Sequence, residues 1–138
     1  MSAIRTALPL LALLLAAGCG EQAPQPARAP PTQPMARDTP PPEYPVQLAC
    51  AGIGGQSVLM INVGPDGVPS DIKVQRSSRP ELDAAAVEAV RNWKFTPGTA
   101  LGQPVSSRIQ VPVTFTPPPI KPDACFAIEE QARRAAQG

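Results

Sequence analysis

The first question is which side chains could do chemistry, and the answer is short. The chain of 138 residues contains no histidine. That removes the commonest general base, the commonest metal ligand and every Ser-His or Cys-His nucleophile pair together. Serines are plentiful, but only a lysine remains to activate one. Asp66 and Asp71 lie in and near a Pro-Asp-Gly turn, where carboxylates are ordinary turn chemistry rather than a cation site. The glycines at 52, 54 and 55 lack the strand–loop–helix context of a phosphate cradle. Trp93-Lys94-Phe95 beside Arg91 suggests a base-stacking platform, but two core aromatics with outward cations explain the same pattern. A net charge of +1 leaves no polyanion footprint, so nucleic acid is not expected as a partner. Neither catalysis nor a cofactor is expected.

The reactive groups that remain are three cysteines. Cys19 closes the run Leu15-Ala16-Ala17-Gly18-Cys19, which resembles a bacterial lipobox. Arg5 supplies a positive start, and residues 8–17 form a Leu/Ala-rich stretch of signal-peptide length. That stretch is shorter than the about 20 apolar residues a membrane span requires. The expectation is a lipoprotein signal over 1–18, with Cys19 lipidated and the chain anchored to a membrane facing the periplasm. Gly20 follows in place of an Asp that would suggest inner-membrane retention, so the outer membrane is the favoured address. Cys50 and Cys125 then remain as one pair in an oxidising compartment. A bridge between them would stabilise by about 2–4 kcal/mol. The alternatives are two buried free thiols, or a redox dithiol that lacks C-x-x-C spacing.

The elements that position these groups follow from periodicity. Twenty prolines against 4% aromatic residues mean that much of the chain lies outside any packed core. Residues 19–42 are a Pro-rich linker with no apolar period, reaching about 60 Å if extended as polyproline II. Residues 45–51 suit a short helix stopped by Gly52. Residues 57–63 and 72–75 suit two strands joined at Gly64-Pro65-Asp66-Gly67. Leu59, Ile61 and Val63 share one strand face with Ile72 and Val74, while Val58 and Met60 lie on a partly covered second face. Ser78 and Glu81 have capping-box spacing, with Pro80 in the first turn. Leu82, Ala86, Ala89, Val90 and Trp93 then recur on one face of a helix over 82–93, with Asp83, Glu88 and Arg91 turned away. Residues 99–104 read as a loop and 105–116 as the last strand. In it Ile109, Val111, Val113 and Phe115 alternate with Arg108, Gln110, Pro112 and Thr114. Proline inside a strand indicates an edge position. Asp123 caps a short tail helix over 124–136 whose Glu129, Glu130, Arg133 and Arg134 form a solvated face.

Several of these pieces occur in a recognisable order. They are Tyr44-Pro45, the glycines around Ile53, Pro65-Asp66-Gly67, the Ser77-to-Pro97 stretch ending Trp93-x-Phe95-x-Pro97, Gly102-Gln103-Pro104-Val105, and Val111-Pro112-Val113-Thr114-Phe115. Together they resemble the C-terminal domain of TonB-type energy transducers, over roughly 42–116. The domain itself is placed at 43–116, with 117–138 a Pro-rich hinge and tail helix. The expected fold is α+β: a three-stranded antiparallel sheet packed by two helices. The resemblance implies a non-enzymatic, transport-related module of the periplasm. Its last strand would capture an extended segment of a TonB-dependent outer-membrane receptor, or another periplasmic protein. Arg108, Ile109, Gln110, Val111, Val113 and Thr114 would form that edge.

Two departures shape the expectation. The membrane helix and motor-engaging histidine of the family's transducers have no counterpart, and Pro41 stands where better-known members have a glutamine. An accessory binding role is therefore favoured over force transduction. The alternatives are a true transducer of siderophore or vitamin uptake whose hydrophobic start is an uncleaved anchor, and a structural envelope lipoprotein. An open edge also admits a swapped homodimer.

Overall fold

The computed structural model describes residues 27–138, so the leader and Cys19 lie outside the described residues. The elements run β1 (Met35–Asp38), α1 (Val46–Cys50), β2 (Gly55–Val63), β3 (Pro69–Arg76), α2 (Pro80–Arg91), β4 (Lys94–Thr96), β5 (Gly98–Ala100), β6 (Gln103–Val105), β7 (Ser107–Phe115) and α3 (Asp123–Gln137). The central sheet is antiparallel, in the order β3-β2-β7. Leu59, Ile61 and Val63 of β2 alternate onto one face and are fully buried, beside Val111, Val113 and Phe115 of β7. Leu82, Ala86 and Val90 of α2 close over that face, with Leu48 of α1 at one end. The expected three-stranded antiparallel sheet packed by two helices is the architecture found.

The turn between β2 and β3 depends on Gly67. Its φ of +77° is costly for any side chain, and a Cβ there would stand 2.0 Å from the Phe95 carbonyl oxygen. That close approach is used: the Phe95 N–H donates to the Gly67 carbonyl at 3.0 Å, tying β4 to the hairpin. A second tight turn joins β5 to β6 through Leu101 and Gly102, at φ 53° and 76°. Residues 99–104, expected as a loop, are thus mostly this small hairpin. Two positive-φ residues in succession suit the twist of a two-residue hairpin.

Several local expectations are corrected. No side chain caps α2: Arg79, in extended backbone, holds the N-cap position and Pro80 follows it, so Ser78 and Glu81 form no capping box. Asp83, expected to face water, is buried, and its carboxylate accepts hydrogen bonds from Ser57 Oγ (2.5 Å) and Ser77 Oγ. Val74 lies opposite Leu59 yet is 42% exposed, because β3 is an outer strand kinked by two register irregularities. Trp93 is only half-buried; its indole N–H donates to the Pro40 carbonyl at 2.9 Å. Asp123 is the first residue of α3 rather than its cap.

The Pro-rich segment also differs from a plain spacer. Within it, β1 pairs antiparallel with β4, and Thr32 and Thr99 exchange backbone hydrogen bonds of 2.9 and 3.2 Å. Nothing apolar in β1 is buried, so the arm docks by hydrogen bonds, main-chain ones joined by those of the Thr32 hydroxyl to Thr99. Such docking is invisible to periodicity.

Candidate functional site

The site expected from the sequence is the outer border of β7, and its geometry follows from β2. The two strands pair without a break from Gly55↔Phe115 to Val63↔Ser107. Pro112 lies opposite Val58 and has no N–H to give, so its position in the ladder must be a non-hydrogen-bonded one. Residues of the same parity, Arg108, Gln110 and Thr114, therefore turn their main-chain N–H and C=O groups away from β2. No described strand lies on that side. The tail does not cover the border either: β7 runs into a Pro-rich hinge and α3 packs against α1 instead. The expected edge residues are thus divided by parity. Ile109, Val111 and Val113 anchor the strand to the core, while Arg108, Gln110 and Thr114 present the free border.

Side chains hold this border in shape. On the outer face of the sheet Gln110 Nε2 donates to Gln75 Oε1 at 2.6 Å, across β2, and Gln56 Nε2 donates to Thr114 Oγ1 at 3.0 Å. Arg108 reaches Asp71 at 3.3 Å, and Asp71 also holds Lys73 at 3.2 Å. Asp71 takes a left-handed conformation, φ 48°, inside the irregular part of β3. Asp tolerates this better than most residues. A shallow pocket of about 430 Å³ lies between Arg76, Gln75 and Val58 on one side and Gln110 and Pro112 on the other. Asp71 was read as turn chemistry, and Gln75 and Arg76 were given no part in this border. Only the pairing of β3 with β2 carries them to within reach of β7.

Cys50 and Cys125 are disulfide-bonded, with their Cα atoms 5.4 Å apart. Cys125 is fully buried, and the bond fastens the start of α3 to the end of α1. Among the described residues no group of three or more Cys, Asp or Glu side chains could hold a metal ion. No described helix is long and apolar enough to cross a membrane.

Comparison with known proteins follows the same outline. Residues 40–117 match the family model described as Gram-negative bacterial TonB protein C-terminal. Protein TonB of Xanthomonas campestris pv. campestris is 41% identical over 76 residues, covering 54% of this chain and 34% of that protein. Protein TonB of Vibrio cholerae is 36% identical over 77 residues, covering 54% of this chain and 31% of that one. The solution NMR structure of the Pseudomonas aeruginosa TonB CTD matches with a TM-score of 0.49 and 26% identity, over 65% of this chain and 90% of that one. The match spans about a third of the length of the curated relatives. On the family model, which covers more than half of its length, this chain belongs to the family of TonB protein C-terminal domains.

Proposed function

We propose that this domain is a non-enzymatic binding module that lends the free border of β7 to an extended periplasmic segment of a TonB-dependent outer-membrane receptor. The observation that carries the reading is the unpaired side of Ser107–Phe115 in a chain of this family. A strand added there gains main-chain hydrogen bonds from Arg108, Gln110 and Thr114, and from the Pro112 carbonyl alone. β-Augmentation of this kind supplies affinity from the backbone and selectivity from alternate side chains. The module is held to the periplasmic side of the outer membrane by lipid on Cys19. Thr32 pairs with Thr99 and β1 with β4, so the Pro-rich segment lies on the domain from Thr32 onward.

The test is titration of isotope-labelled protein with receptor N-terminal peptides and with the same peptides N-methylated at alternate positions. Binding is expected to perturb the amides of Arg108, Gln110 and Thr114, and the N-methylated peptides are expected to fail. Equal binding by both peptides, or perturbations confined to another surface, would refute edge pairing.

A second reading is a true TonB energy transducer with an uncleaved N-terminal anchor, with which the 41% identity to 34% of Protein TonB is compatible. Mass measurement of the mature N-terminus decides: a diacylated Cys19 eliminates the transducer, and an intact Met1 eliminates the lipoprotein.

A further inference from the structure

We infer that the segment captured by β7 is acidic, carrying carboxylates at two positions four residues apart on its outward-facing side. The inference rests on the edge-pairing reading above and adds the chemistry of the partner to it.

The outer face of the sheet is unbalanced in charge. Lys73, Arg76 and Arg108 are exposed there against the single carboxylate of Asp71, which already serves both Lys73 and Arg108. Arg76 makes no ion pair among the described residues. A strand laid along β7 places alternate side chains on this same face, with Cβ atoms about 4.5–5.5 Å from those opposite. A carboxylate opposite Arg108 therefore meets a guanidinium whose side chain is 65% exposed. Four residues along β7 stands Pro112, whose side chain offers no polar group. The register there runs Pro112↔Val58↔Arg76. The pocket of about 430 Å³ spans that line, with the Gln110–Gln75 bond beside it. A glutamate opposite Pro112 lies over the proline ring and points toward Arg76. Arg108 and Pro112 thus define two acid-accepting positions on one face of one added strand.

A second copy of this chain fits the border less well. Pairing β7 with β7 would bring no carboxylate to either acid-accepting position, since Ser107–Phe115 contains none. The gain from acidic positions is in selectivity and association rate, since exposed pairs add little affinity.

The experiment uses the full chain and three nine-residue Thr/Val host peptides, with Glu, Gln or Lys at the two outward positions. At low salt the Glu peptide is expected to bind about 3- to 10-fold tighter than the Gln peptide, and the Lys peptide more weakly still. The difference should shrink as ionic strength rises. Two exposed substitutions should move it in opposite directions. Arg108→Gln is expected to remove most of the preference for Glu. Asp71→Asn, which keeps a residue tolerant of positive φ, is expected to enlarge it by removing the competing carboxylate. Equal binding of all three peptides, or tighter binding of the Lys peptide, overturns the acidic-partner inference and leaves edge pairing standing. Failure of every peptide overturns edge pairing itself.

Discussion

Helices α2 and α3 are both amphipathic, and they are attached to the domain in opposite ways. α2 buries Leu82, Ala86, Ala89 and Val90 against the sheet and adds a buried polar bond, Asp83 to the hydroxyls of Ser57 and Ser77. α3 buries one side chain, Cys125, and leaves Phe126 60% exposed. Its hold on the domain is mainly covalent, through Cys50. Burial of apolar surface is cooperative with the rest of a core, whereas a cross-link acts at one point and works largely by restricting the unfolded chain. An amphipathic pattern alone therefore does not say how a helix is retained.

The contrast can be broken most severely at Leu82. Leu82→Ala should cost about 2–5 kcal/mol in urea unfolding, since the side chain is fully buried. Phe126→Ala on α3 should change stability by no more than about 0.5 kcal/mol, as an exposed substitution does. A large loss at Phe126 would show that α3 is packed after all. Next in size is the disulfide. Cys125→Ser should lower global stability by about 2–4 kcal/mol. In hydrogen exchange, the amides of α3 should lose protection first while those of β2 and β7 remain the slowest. Retained protection in α3 would mean that packing rather than the cross-link holds it.

A smaller effect is expected from Asp83→Ala, about 1–3 kcal/mol by thermal or urea unfolding. The cost arises because the Ser57 hydroxyl, fully buried, is left without a partner. Ser57→Ala combined with Asp83→Ala should recover part of the loss, which a purely steric role for Asp83 would not allow. The smallest effect lies on α3. Lys121 hydrogen-bonds to Glu129 and, with its charge and that of Arg133, holds the Glu129 carboxyl below the ordinary carboxylate range. A lowered folded-state pKa contributes stability above the unfolded value and loses it as pH falls through the lowered one. NMR titration should show Glu129 protonating below the ordinary carboxylate range, and Lys121→Gln should return it toward that range.

Much of the site was legible beforehand because it is written in short periods. The strict alternation from Arg108 to Phe115 announced a strand with one buried face. Pro112 announced that its open side points away from a partner, and both features stand in the structure. The Ser77 hydroxyl was assigned to no role, and Asp83 was assigned to solvent. Their pairing with Ser57 joins residues that a helix wheel cannot relate. The β1 arm left no apolar period, since it docks through main-chain bonds that any sequence without proline in the wrong place can make. Asp71, Gln75 and Arg76 came to the border only through the irregular register of β3.

The amino-acid order by itself determined the main elements β2, β7 and α2, the turn at Gly64–Gly67, and the parity of β2 and β7. These are properties of neighbours two to four residues apart, and the repeats of strand and helix impose them on any chain. The tertiary structure alone decided that β2 is central, that Asp83 is buried, and that a surplus of cations gathers beside the free border. Those outcomes depend on which distant segments pair and pack, because a strand's second side is free or filled only by what the rest of the fold brings to it.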